Sequence, residues 1–153
     1  MLIRKATLAD ARHISQLVSK TDGNEDRAGK ESYTDPHPWH RTLSSILSSP
    51  EWTCFLATDG DKKVGLLVFH VRLSIADGKK RATITELVIN EGYSDQGIEV
   101  ELVEEAKRSA SAKGCTGLFA TVDAGNEKSI AKFKRLGFRQ DRAFLEMELT
   151  RPA

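Results

Sequence analysis

Apolar residues Ala11, Ile14, Leu17 and Val18 recur every three to four positions, the period of a helix with one buried stripe, and predict a helix over residues 8–19. Residues 2–6 before it have strand character. Thr7-Leu8-Ala9-Asp10 offers a capping box, in which the threonine oxygen and the Asp10 carboxylate satisfy early helix amides. Residues 20–38 turn polar, with glycines, two prolines and no periodicity, so a long loop is expected there. A second helix is predicted over residues 38–48, its proline tolerated in the first turn and Trp39, Leu43, Ile46 and Leu47 on its apolar side.

The period then changes to that of strands. Residues 52–57 and 63–74 are β-rich runs around the hairpin signal Asp59-Gly60-Asp61, and Asp77-Gly78 is a second turn before a strand over residues 81–90. Three antiparallel strands in a meander are expected. Ile98, Leu102, Ala106 and Ala110 then lie on one face of a helix over residues 98–113, with Gly114 placed to end it. A short strand over residues 117–122 follows, then a helix over 127–136 capped by Asn126 and stopped by Gly137, and one or two final strands over 138–149. The order predicts an α/β (α+β) sandwich, a mixed, mostly antiparallel sheet with helices on both faces.

At 153 residues the chain suits one domain spanning 1–153. The 23 Lys and Arg nearly balance the 22 Asp and Glu, so no global field argues for nucleic acid or a membrane surface. No apolar run approaches the ~20 residues of a membrane span, and the N-terminus lacks a signal-peptide core, so a cytoplasmic protein is the expectation. Cys54 and Cys115 show no metal spacing and read as free, buried thiols. His37 and His40, three apart without further ligands, give no case for a metal, and none is expected.

The order strand, Gly97, helix, and then the capped segment Asn126-Glu-Lys-Ser-Ile-Ala-Lys-Phe-Lys-Arg-Leu-Gly-Phe138 resembles the core of the GNAT superfamily of acyl-CoA-dependent N-acetyltransferases. The resemblance implies a pyrophosphate cradle at the start of the helix after Gly97, where free backbone N–H groups and the positive dipole end favour an anion. The family pattern there is Arg or Gln, two residues, Gly, one residue, then Gly or Ala. The matching positions are Ser94, Asp95, Gln96, Gly97, Ile98 and Glu99, so only the first glycine is kept. The Ser94 hydroxyl can still bond a phosphate oxygen. Glu99 puts a carboxylate where the phosphates would lie, a repulsion of ~1 kcal/mol at 4 Å in water and ~4 kcal/mol at an effective dielectric of 20. Without a ligand, Glu99 and Glu101 read as ordinary helix-start acids.

The resemblance also places the pantetheine arm along the preceding strand at Leu87, Val88 and Ile89, bonded by the backbone of Leu87 and Ile89 as an added strand would be. It makes Glu86 the candidate base that frees the amine of a proton. Strict alternation puts Glu86 with Ile84 and Val88, opposite Leu87 and Ile89; the other reading of Glu86 is a charge paired with Arg72 or Arg81. Asn126 matches an asparagine that contacts cofactor or ordered water, and as residues alone read is an N-cap. Phe133 stands where many members have a tyrosine that protonates the leaving thiolate. Phenylalanine cannot donate, which leaves Tyr93, Tyr33, water or an unaided thiolate; Phe133 also reads as a core aromatic beside Phe119 and Phe138.

Tyr33, Asp35, His37, Trp39 and His40 fall where the family builds acceptor specificity, and aromatics with an acid suit a cationic amine; Tyr33, His37 and Trp39 are the candidate substrate contacts. The run Lys128, Lys132, Lys134, Arg135 and Arg139 can attract a ribose phosphate or be a solvated helix face. The resulting expectation is an N-acetyltransferase moving an acetyl group from acetyl-CoA to a primary amine of a small molecule or peptide. The alternative is a catalytically degenerate GNAT-fold binding or interaction module, with Ser94, Glu99 and Phe133 marking lost chemistry. The family admits a homodimer, although no exposed apolar stripe in the sequence demands one.

Overall fold

A computed structural model of the chain describes residues 1–19 and 39–150. The sheet carries five strands in spatial order β1 (Leu2–Lys5), β2 (Trp52–Asp59), β3 (Lys62–Leu73), β4 (Lys80–Ile89) and β5 (Cys115–Ala120). Every neighbouring pair is antiparallel except β4 and β5, which run parallel and are joined through helix α3 (Ile98–Ala112). Helices α1 (Ala11–Ser19) and α2 (Trp39–Ser48) cover one face, while α3 and α4 (Glu127–Arg135) cover the other.

Period-two patterning divides the strands between these two cores. Phe55, Ala57, Leu67 and Phe69 face α3, whereas Cys54, Leu56, Leu66 and Val68 face α1 and α2. The predicted stripe of α3 is buried throughout, with Ile98, Leu102, Ala106 and Ala110 joined by Val103. Gly65 is the point of closest approach. A side chain there would sit 3.0 Å from Ile89 Cδ1 and 3.2 Å from both Ile98 Cγ2 and Leu102 Cδ1, so the missing Cβ lets the first turns of α3 settle against β3 and the end of β4.

The first helix begins as a 3₁₀ turn at Leu8–Asp10. The Asp10 carboxylate accepts from the Thr7 N–H at 2.9 Å and also holds the Arg4 guanidinium through two bonds of 2.8 Å, tying β1 to the helix start. Burial pushes the Cys54 thiol up to about 12, and both cysteines are free, although Cys115 is only half-buried.

Two expectations are corrected. Residues 138–149 form no strand: the chain from residue 139 to 150 is exposed and irregular, because β5 ends the sheet without taking up the segment. An exposed apolar row therefore does exist, with Phe144, Leu145, Met147 and Leu149 each at least 78% exposed.

Candidate active site

β4 carries the feature that shapes the site. Val68 pairs with Glu86 while Phe69 pairs with Ile84, so Thr85 is an extra residue, a β-bulge that reverses the alternation of everything after it. Ala82 and Ile84 face α3, and beyond the bulge Leu87 and Ile89 face α3 as well. Glu86 and Val88 point to the α1 face, Glu86 sharing it with its cross-strand partner Val68. The expected grouping of Glu86 with Ile84 is thus wrong, since strict alternation fails across an inserted residue.

The bulge coincides with a split in the sheet. Pairing of β4 with β5 ends at Ile84 and Ala120, and the last backbone bond between them runs from the Thr121 N–H to the Ile84 carbonyl at 3.2 Å. Past that point the β5 side of β4 has no strand beside it among the described residues. The Asn90 N–H bonds to the Val64 carbonyl on the β3 side, so the backbone of Leu87 and Ile89 points into the open slot and that of Val88 does not. Val88 lies instead in the α1 core, 5% exposed.

Into this slot comes Lys132 of α4, whose ammonium donates to the Leu87 carbonyl at 3.3 Å. Burial lowers the pKa of Lys132 and attraction to Glu99 opposes that, which places the ammonium and the Glu99 carboxylate in one electrostatic neighbourhood. The loop from β4 to α3 closes the same end of the sheet. Asp95 and Gly97 both adopt left-handed backbone, at φ 63° and 76°, and no side chain caps the first turn of α3. Its leading N–H groups are left to solvent or a ligand. Ile89 and Ile98 meet around Gly65, so this helix start lies beside the open edge of β4.

Glu86 is half-buried and burial raises its pKa; among the described residues its side chain forms no ion pair or hydrogen bond. Arg81 is committed to Asp77. The Tyr93 hydroxyl donates to Asp59 Oδ2 at 3.1 Å, and that bond raises the pKa of the Tyr93 phenol. Next to Tyr93, a shallow groove is lined by His13, Gln16 and Leu17 of α1 with Val64 and Asn90. Among the described residues no three His, Cys, Asp or Glu side chains converge as a metal site, and no helix is long and apolar enough to cross a membrane.

Residues 19–138 match the family model for the acetyltransferase (GNAT) family. The chain belongs to the GNAT family of acetyltransferases. A curated relative, the N-alpha-acetyltransferase MAK3 of Arabidopsis thaliana, is 32% identical over 87 residues, which is 56% of this chain and 44% of that protein, so the match spans less than half the relative's length. Among solved structures, a protein described as a transcriptional regulator from Bacillus halodurans C-125 superposes with a TM-score of 0.86 at 25% identity, covering 97% of this chain and 99% of that one. A putative acetyltransferase from Agrobacterium tumefaciens str. C58 gives 0.81 at 17% identity, covering 97% and 100%. An aminoglycoside acetyltransferase from an uncultured soil metagenomic sample, in complex with sisomicin, gives 0.77 at 18% identity, covering 99% and 96%. The last two share the fold.

Within this GNAT fold the sequence-predicted residues divide cleanly. Leu87, Ile89, Gly97, Ile98 and Glu99 gather at one end of the β4 slot, with Ser94, Asp95 and Gln96 in the exposed loop above it. Asn126 caps α4, its Oδ1 accepting the Ser129 N–H at 3.1 Å. Phe133 is 9% exposed and meets Phe138 edge-on at 5.3 Å, a core aromatic. Tyr33 and His37 lie outside the described residues, as does the side chain of Trp39, whose backbone opens α2. Lys132 was legible only as one cation in a basic run. The signal that separates it is helical phase, because the Asn126 cap and the buried Phe133 together fix Lys132 at the boundary of the buried face.

Proposed function

We propose that this GNAT chain transfers an acetyl group from acetyl-CoA to a primary amine of a small molecule or peptide. The observation that carries the reading is the open edge of β4 at Leu87 and Ile89 beside the uncapped start of α3. Strand groups with no neighbouring strand suit an extended amide-bearing chain such as pantetheine, and a helix start suits its phosphates. The residues present fit the donor: the Leu87 carbonyl is within reach of a polar hydrogen, as Lys132 demonstrates, and the Lys132 cation stands against Glu99. The relatives include an N-alpha-acetyltransferase and an aminoglycoside acetyltransferase, which supports amines of both the peptide and the small-molecule class as acceptors.

Acetyl-CoA supplies the activated thioester. The chain's own part is to deliver the acceptor as a free amine, and Glu86 is the group for it: a half-buried carboxylate with a raised pKa is a better proton acceptor near neutrality than a solvated one. Tyr93, tied to Asp59, is a poorer proton donor than an unpaired phenol, and Phe133 has no proton to give. Departure of the thiolate therefore rests on the local cation Lys132 and water.

Melting the protein with and without millimolar acetyl-CoA tests the donor site, with ADP as a control. A ligand at 100 times its dissociation constant adds ~2.7 kcal/mol of stability, or about 5–11 °C for a domain of this size. Thiol release on adding peptide N-termini or small polyamines then tests transfer. No shift with acetyl-CoA would sink the reading and leave an interaction module, whereas a shift without turnover on any amine would leave a donor-binding protein that has lost its chemistry.

A further inference from the structure

Lys132 departs from the rest of the basic run on α4. Lys134 and Arg135 are exposed, as charged helix residues ordinarily are, whereas Lys132 is half-buried and turns its ammonium inward. Its Nζ lies 3.3 Å from the Leu87 carbonyl oxygen and 5.8 Å from the centroid of the Phe133 ring. Burial lowers the pKa of that ammonium, the attraction of Glu99 on α3 opposes the change, and the neighbouring cations Lys128 and Arg135 add to it. A larger share of Lys132 than of a solvated lysine is therefore neutral, nucleophilic amine.

Its place along β4 gives this amine a target. Ile89 meets Ile98 around Gly65, so a donor with its phosphates at the start of α3 reaches Ile89 first and Leu87 after it. The thioester end of the arm then comes to the part of the slot that Lys132 occupies. An arm bonding the Leu87 carbonyl competes with Lys132 for that oxygen and frees Nζ to turn. The slot thus holds a primary amine of the chain's own, the same functional group as the proposed acceptors, on the thioester side.

We infer, resting on the transferase reading for the donor, that Lys132 is an internal acceptor: with acetyl-CoA bound and no amine beside it, Nζ takes the acetyl group and the chain acetylates its own α4. The neutral Nζ attacks the thioester carbonyl carbon, a C–N bond forms, the C–S bond breaks, and the electron pair leaves with sulfur. Nζ gives up one proton to water and the thiolate takes one from water, so acetyl-lysine and free CoA thiol are the products. Acetyl-lysine carries no charge, which leaves Glu99 unopposed and loosens the chain's hold on the next donor. Free amine and Lys132 draw on one thioester, so the modification is a brake that sets in when acceptor runs out.

The full chain incubated with acetyl-CoA and no amine, then digested and mapped by mass spectrometry, should carry one acetyl group on Lys132. Its rate should be unchanged on diluting the protein and several-fold above that of the exposed Lys62 and Lys134, which measure uncatalysed acetylation in solution. Excess free CoA, filling the donor site without a thioester, should protect Lys132 and spare neither of the other two. Lys132→Gln, which mimics the neutral product, should bind acetyl-CoA several-fold more weakly, and Lys132→Arg, which keeps the charge, should lose less; the mass map on the unaltered protein stands whether or not these variants fold. Lys132 acetylated no faster than Lys62 and Lys134, in a protein whose melting temperature acetyl-CoA raises, would overturn the internal transfer and leave the donor site standing. With no such rise, the donor reading falls and takes the internal transfer with it. A rate that drops in proportion on dilution would overturn it too, by placing the donor on another copy of the chain.

Discussion

Gly65→Ala isolates the packing that sets the α3 start against β4. The added methyl would stand 3.0 Å from Ile89 Cδ1 and 3.2 Å from Ile98 Cγ2 and Leu102 Cδ1, each inside ordinary van der Waals contact. Ile98 is 1% and Leu102 0% exposed, so neither can retreat into solvent and these side chains, or the helix that carries two of them, must give by a few tenths of an ångström. Overpacking of this kind costs about 1–3 kcal/mol. Taking about 2 kcal/mol, the melting temperature should fall by about 4–8 °C. Gly92→Ala is the matched control, because a methyl there meets nothing within 4 Å. Acetyl-CoA titration of the two variants should also show weaker binding for Gly65→Ala, since the displaced turn is the one offering free N–H groups. Equal melting temperatures for the two variants would refute the claim that α3 is wedged tightly over Gly65.

Other substitutions read other parts of the site. Asp10→Ala removes a two-bond contact with Arg4 and the bond from the Thr7 N–H, and should cost about 2–4 kcal/mol in urea unfolding at pH 7. Arg4 holds the Asp10 carboxyl well below the usual carboxylate range, so its contribution is complete above the unfolded value near ~3.9 and fades as pH drops below it; the gap between wild type and variant should narrow at pH 3. Glu86→Gln should abolish the acid limb of the kcat/KM pH profile, a limb that wild type should show above the ordinary glutamate value because burial raises that pKa. An unchanged profile would remove Glu86 as base. Lys132→Met should weaken acetyl-CoA binding several-fold by leaving Glu99 unopposed, and Glu99→Gln in that background should restore most of it; additive effects would show that the two charges act separately. Asn126→Ala should lower stability by about 1 kcal/mol through loss of the α4 cap, and an added loss of acetyl-CoA affinity would show a second role for that amide.

Much of the fold was legible because its periods are clean. The α3 stripe, the three-strand meander and the Asn126 cap follow from apolar spacing and turn residues, and each stands where those signals put it. Thr85 was invisible because a bulge is one residue out of phase, and a β-branched residue in a strand carries no mark of being the extra one. Phe144 to Leu149 carry an alternating strand pattern, yet alternation names no neighbouring strand, and the segment stays outside the sheet that ends at β5. For the site, Gly97 and Leu87 entered through the resemblance to the GNAT family, and the structure sets them at one end of the β4 slot. Lys132 was hidden because its meaning depends on a carbonyl 45 residues away in sequence.

The gap between β4 and β5 also bears on how freely this sequence can drift. A slot whose hydrogen-bonding groups belong to the main chain keeps its character whatever side chains surround it, so long as the sheet still parts at Ile84. On the proposed reading, Ser94, Glu99 and Phe133 alter local charge and the ease of proton supply, while the cleft itself follows from where β4 and β5 part. On that reading, the side chains around such a cleft can change while the main-chain contacts it offers the donor stay in place.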